Sequence, residues 1–241
     1  MKKRWFYYLF AATMCLAFFS LGRWQLARAE WKQHRLDAVA AVLKDRKLES
    51  LSLLSKESKS ADQLELAWVS GRGYFPDLPA LLLDNQRSGE KVGVNVYRVF
   101  QPENGKALLV NLGWLEVPGD RTMPAIKKIN GTQELNGLLV SPPSPGLAIG
   151  PAYVKTGNEY WLMTRMPLDE LARDLKTPLA PRVLRLNPDL PIGYARDLDI
   201  LPNTLPPEKH RGYAVQWFGL CIATIVLTLV LGLRNKEKKN D

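Results

Sequence analysis

Histidine and cysteine are scarce in this chain, with two of each among 241 residues. The scarcity removes whole classes of chemistry. No CxxC, CxxxC, HxxxH or HExxH spacing occurs, so the clustered donors of a zinc site are missing. There is no P-loop, no GxSxG elbow and no GxGxxG turn. A serine or cysteine hydrolase needs a histidine base, yet His34 and His210 only flank the two apolar ends of the chain. Cys15 and Cys221 both fall inside apolar runs, so neither closes a disulfide within the central domain or offers copper a soft ligand there. Only Met163 and Met166 lie close together among five methionines, and they read as core. No basic stripe is interleaved with aromatics, which argues against a nucleic-acid partner. These absences predict a protein that is not an enzyme.

What the chain does have is two long runs without charge. Trp5 to Leu21 and Tyr213 to Leu233 cover, as helices, roughly 25 and 31 Å against a hydrocarbon core of about 30 Å. Two crossings put both termini on one side and everything between on the other. Lys2, Lys3 and Arg4 precede the first run, and Arg234, Lys236, Lys238 and Lys239 follow the second. These tails hold much of the formal charge of +9; from Arg23 to Arg211 there are 26 basic and 22 acidic residues. Short basic tails stay cytoplasmic while a long domain crosses largely regardless of charge. Arg23, Arg28, Lys32 and Arg35 crowd the far end of the first run, so the long central domain decides the orientation. A cleaved signal peptide with Ala27-Arg28-Ala29 as its site is the rival reading. The apolar run is longer than an h-region, and a bulky charged stretch precedes the cut, so an uncleaved anchor is expected. The expected layout is 1–4 cytoplasmic, 5–22 first transmembrane helix, 23–209 extracytoplasmic (periplasmic) domain, 210–233 second transmembrane helix with its interfacial entry, and 234–241 cytoplasmic tail. Such a protein lies in the cell inner membrane as a multi-pass protein.

The central pattern is mostly strand. Leu26 to Leu43 has apolar residues at mixed spacings of three and four and reads as a helix continuing or bending from the first span. Lys44 to Gln63 is charged and serine-rich, a loose helix or a linker. Ala67–Tyr74, Leu81–Asp84, Gly93–Phe100, Ala107–Leu115, Gln133–Val140, Glu159–Thr164 and Arg182–Leu186 are strand candidates. VNVYRVF alternates as a half-buried strand should. Pro102-Glu103-Asn104-Gly105 marks a hairpin, and Pro142 to Gly146 a rigid turn. Leu168 to Leu175 is a short amphipathic helix with acidic residues in its first turn. Pro202 to Pro207 is a stiff tether into the second span. The fold class expected is an α+β membrane protein: two terminal transmembrane helices flanking one mostly antiparallel, open barrel-like β domain with a few short helices.

If the two spans pack side by side, Gly22-Arg23-Trp24-Gln25 meets Lys209-His210-Arg211-Gly212-Tyr213. One imidazole, several guanidinium groups and the rings of Trp24, Tyr213 and Trp217 then share one level. Neutral imidazole is an axial ligand for haem iron, arginine pairs with propionates, and aromatic rings suit a flat macrocycle. The same residues also make an ordinary interfacial belt against membrane lipid. Composition leaves both open.

LGRWQLARAEWK (Leu21 to Lys32) directly after the first span resembles the opening motif of the Surfeit locus protein 1 family, cytochrome c oxidase assembly factors of bacteria and mitochondria. HRGYAVQWFGL (His210 to Leu220) resembles the family's closing motif, and LLVNLGWLEVP (Leu108 to Pro118) its strand ending in Gly-Trp followed by Pro. Three motifs in order, with a two-span topology, cover the chain. Departures are Leu112 where the family usually has Arg, Asn85-Gln86-Arg87 in place of a Pro-Arg element, and no family pattern over 46–63. The resemblance implies an assembly factor for a haem–copper terminal oxidase (cytochrome c oxidase) that assists maturation or haem insertion of the haem-bearing subunit. That subunit and other assembly factors are the implied partners. By the same resemblance, His210 is the leading ligand for a transient haem a, none being firmly bound. Tyr213, Trp217, Trp24 and Gln25 match the two terminal motifs, and Arg23, Arg28 or Arg211 would steady propionates. The alternative is a ligand-free membrane scaffold or chaperone that holds the immature subunit.

Overall fold

A computed structural model describes residues 2–51, 66–144, 149–157, 159–200 and 204–237. The chain divides into two units, Met1–Asp37 with Thr204–Asp241, and Ala38–Asn203. In the first unit, two helices are long and apolar enough to cross a membrane. The first, α1 (Lys2–Asp45), runs without a break past the apolar run, so the chain continues as helix rather than bending away. The other terminal helix spans Pro207–Glu237. It begins earlier than the apolar run because proline suits a first helical turn, where no partner for its missing N–H is needed.

The second unit is a sheet. Its strands are β1 (Leu48–Ser50), β2 (Ala67–Tyr74), β3 (Ala80–Ser88), β4 (Lys91–Pro102), β5 (Ala107–Glu116), β6 (Thr132–Val140), β7 (Tyr153–Lys155), β8 (Tyr160–Met163) and β9 (Leu179–Leu186). One short helix, α2 (Leu168–Asp174), joins β8 to β9; the terminal helix is therefore α3. The order is β1-β2-β6-β9-β5-β4-β3-β8-β7, and β2 also pairs with β4. That extra pairing, Gly73 with Pro102 and Tyr74 with Gln101, curls β2, β6, β9, β5 and β4 round on themselves. The open-barrel expectation is met in this respect. The β1–β2, β3–β8 and β5–β9 pairs are parallel, and the other pairs are antiparallel.

Alternation along the strands fills both faces. Val69, Val96, Phe100, Val110, Leu112, Leu135, Leu139 and Leu184 pack in one core. Leu81, Tyr97, Leu109, Met163 and Val183 face the other way and are covered by Leu171 and Leu175 around α2. A third cluster sets Val39, at the end of α1, on Trp68 and Leu138. VNVYRVF is therefore buried on both faces, not half-buried as its alternation suggests. Arg98 tolerates this because its guanidinium donates to the carbonyls of Leu78 (3.1 Å) and Lys127 (3.3 Å).

The strand expectations otherwise fall on strands: β2 matches at both ends, β8 is shorter than Glu159–Thr164, and the others run longer. The β3 strand passes Asp84 because an irregularity between Leu83 and Gln86, with Asn85 at φ +57°, absorbs a break in the pairing. The Pro102–Gly105 turn links β4 and β5 as a hairpin, with Gly105 at φ +122°. Short β1 and β7 carry no readable pattern of their own; β1 stands inside the stretch read as linker. Residues 52–63 of that stretch, Pro145-Gly146 of the rigid turn, Pro202-Asn203 of the tether and 238–241 of the tail lie outside the described residues.

At Gly73 a Cβ would press on the Gln101 carbonyl, 2.7 Å from the Phe100 ring and 2.8 Å from Pro102 Cα. Gly73→Ala is expected to force β2 from β4 and destabilise the sheet unit by about 1–3 kcal/mol. Thermal unfolding followed by circular dichroism measures this; an unchanged midpoint would show that the closure has slack.

Candidate functional site

Residues of α1 and α3 at spacings of three and four meet along an antiparallel helix pair. From α1 they are Cys15, Phe18, Phe19, Gly22 and Gln25, and from α3 Cys221, Phe218, Trp217 and His210. Each step along one helix is matched by a reverse step along the other. Gly22 makes the approach close, because a Cβ there would stand 2.6 Å from the Phe218 ring. Phe18 stacks on Trp217 with centroids 5.8 Å apart. The two thiols reciprocate, Cys15 Sγ donating to the Cys221 carbonyl (3.7 Å) and Cys221 Sγ to the Cys15 carbonyl (3.6 Å). Small residues of the same unit, Ala29 and Ala214, are also buried.

Polar chemistry begins where the charge-free runs stop. His210 stands three residues before Tyr213 and is 7% exposed. Its Nδ1 lies 2.6 Å from Gln25 Oε1. An amide oxygen only accepts, so Nδ1 carries the hydrogen and Nε2 keeps a bare lone pair. Nε2 is enclosed and has no hydrogen-bond partner among the described residues. The imidazole is thus held by one nitrogen, and the other is left as a free donor.

Lys32 is the residue that sequence reasoning missed. Sequence placed it only in a crowd of cations, yet it is 4% exposed and its ammonium donates to the Leu205 carbonyl. The signal was present: Gly22, Gln25, Ala29 and Lys32 fall at spacings of three, four and three, a single helix face.

The remaining expected residues divide. Trp217 is half-buried through its stack on Phe18. Trp24 and Tyr213 face outward, 58% and 41% exposed, and Arg23 and Arg211 are exposed as well. Arg28 is exposed too, and its guanidinium lies 4.4 Å from the Trp31 ring centroid, with Arg35 at 5.0 Å. The structure therefore joins Gln25 to His210 and leaves the guanidinium groups and outer rings at the surface. Among the described residues, no group of three or more His, Cys, Asp or Glu gathers to hold a metal ion.

No individual curated protein matches the chain. The model of the SURF1 family matches residues 12–222, from within the first apolar run, through the whole sheet, to within the second. That family is one of assembly factors and is not a known enzyme class. The motif residues Gln25 and His210 and the β5 segment all lie inside the match, and the chain belongs to the SURF1 family, known in general as cytochrome oxidase assembly factors.

Proposed function

We propose that this chain helps load haem into the haem-bearing subunit of a haem–copper terminal oxidase, and that His210 takes the haem in passing. The observation that carries the reading is the His210–Gln25 pair: Nδ1 is engaged at 2.6 Å, while Nε2 is buried with its lone pair unmet. Haem iron is ligated by a neutral imidazole whose other nitrogen is oriented by a hydrogen bond. The donor chemistry fits. Haem is cargo here, and what it supplies is an iron with an open axial position.

The chain's own residues do the rest. Gln25 fixes the tautomer and the ring plane. Arg23, Arg28 and Arg211 are exposed beside the site in sequence, and their forks suit the two carboxylates of a porphyrin edge. Trp24 and Tyr213 offer outward apolar surface at the same ends of the helices. We place the helices in the cell inner membrane with the basic termini cytoplasmic and the sheet unit periplasmic, where the immature subunit and other assembly factors meet it.

The enclosure of Nε2 favours a second reading. With the nitrogen shut off, the closed form is a ligand-free scaffold that holds the subunit while other factors load it. Absorption spectra separate the two. Protein purified in detergent from cells making the relevant haem should show a Soret band that His210→Ala abolishes and Gln25→Leu weakens. A wild type without a Soret band, still co-purifying with the subunit whether or not His210 is replaced, would overturn haem handling and leave the scaffold. A band that persists in His210→Ala would remove His210 from the role.

A further inference from the structure

A polar cleft of about 450 Å³ opens on the sheet unit, lined by Gln86, Asn95, Asn111, Trp114, Arg185 and Asp197 among others. It lies wholly within Ala38–Asn203 and shares no residue with the helix-pair site. Its size falls in the range of small-ligand sites, roughly 300–1,000 Å³.

A bulge in β5 builds it. Val96 opposes Gly113 while Tyr97 opposes Asn111, so Leu112 is the extra residue, its side chain in the core. Gly113 takes φ +120°, and a Cβ there would lie 2.7 Å from the carbonyls of Tyr194 and Ala195. The chain after β9 lies over the bulge: the Tyr194 N–H donates to the Leu112 carbonyl (2.8 Å), and the Trp114 N–H to the Ala195 carbonyl (2.7 Å). Arg196 pins this segment by donating to the carbonyls of Asn187 (2.8 Å), Tyr194 (2.9 Å) and Leu190 (2.5 Å). Its guanidinium is committed to the backbone.

The strand registers set Tyr97, Asn111 and Arg185 side by side on β4, β5 and β9, with Leu81 and Leu138 at either end of the row. Three polar groups thus interrupt an otherwise apolar row. Two are settled. Asn111 Nδ2 donates to Tyr97 Oη (3.3 Å), and its Oδ1 accepts the Gly113 N–H (2.9 Å). Tyr97 stays a phenol, its pKa pushed up to about 12 by burial.

Arg185 is not settled. Its Nη2 donates to Asp197 Oδ1 at 3.2 Å and to the Asp197 carbonyl at 3.4 Å, while its Nε is enclosed with no hydrogen-bond partner among the described residues. Nε–H and Nη2–H form one edge of the guanidinium, spaced for the two oxygens of a carboxylate. Asp197 fills half of that edge from the rim, where its side chain is 78% exposed.

We infer that this cleft binds a carboxylate-bearing ligand, both of whose oxygens are taken by the Nε–Nη2 edge of Arg185 once Asp197 is displaced. A single negative charge suits the site: Arg87 lines the cleft with Arg185, Arg196 is committed to the backbone, and Asp197 and Asp199 set two carboxylates against these cations. Trp114, half-buried with its Nε1–H held by the Gln86 carbonyl (3.1 Å), supplies a flat wall for the carbon body. The carboxylate comes either from a free small acid or from the C-terminus of a polypeptide.

Isothermal titration of the full chain in detergent, at low salt, tests this with acetate, triglycine and triglycinamide. Triglycine should bind and triglycinamide should not; acetate binding as well as triglycine identifies a free acid, and triglycine alone a polypeptide end. Asp197→Asn should tighten binding by about threefold to tenfold, and Arg185→Lys, which keeps the charge but loses the edge, should weaken it about tenfold or more. Asp197→Asn changes an exposed side chain, so it decides the matter even where Arg185→Lys disturbs folding. No binding of either carboxylate by the wild type and by Asp197→Asn, or equal binding of triglycinamide, would overturn the inference.

Discussion

The closeness of two helices, set by the missing side chain of Gly22 beneath the Phe218 ring, is the constraint on which the polar chemistry depends. A hydrogen bond of 2.6 Å between Gln25 and His210 tolerates little separation, and both residues lie on the faces that this contact brings together. Apolar residues supply the force and glycine the distance. The imidazole is then held by one nitrogen and left bare at the other. In a bilayer this polar pair sits at the end of the charge-free runs, where an unmet backbone or side-chain group is least costly.

The sheet unit works by a comparable rule. Its strands bury both faces, so each polar side chain on them needs a local reason. Arg98 has two carbonyls and Asn111 has the bulge it braces, while Arg196, beyond the strands, has the turn it pins. Arg185 is the exception in that row. A residue that breaks the rule is where binding chemistry is expected, since the cost of an unmet donor persists only when something offsets it.

Sequence made the main elements legible because their signals are local. The two apolar runs, the Asn-Gly hairpin between β4 and β5, and the acidic first turn of α2 each declare themselves within a few residues. Parallel pairs such as β5 with β9 did not, because nothing local encodes a partner some seventy residues away. The ring closure at Gly73 was equally silent, since a glycine in a strand has several readings. At the site, His210 and Gln25 were foreseeable from the motifs and the two-span layout. Lys32 was hidden because a lysine among arginines at a membrane edge reads as a surface charge. Trp24 and Tyr213 were grouped with the imidazole by level alone, and level does not say which way a ring points.

Gln25 and His210 stand 185 residues apart in the chain. During synthesis the glutamine emerges early and the histidine only after every strand of the sheet has been made. Local contacts form first, and the most distant pairing must await the end of translation. The nitrogen donor is therefore in place only on a molecule whose second helix has arrived, and a nascent or truncated chain lacks it altogether.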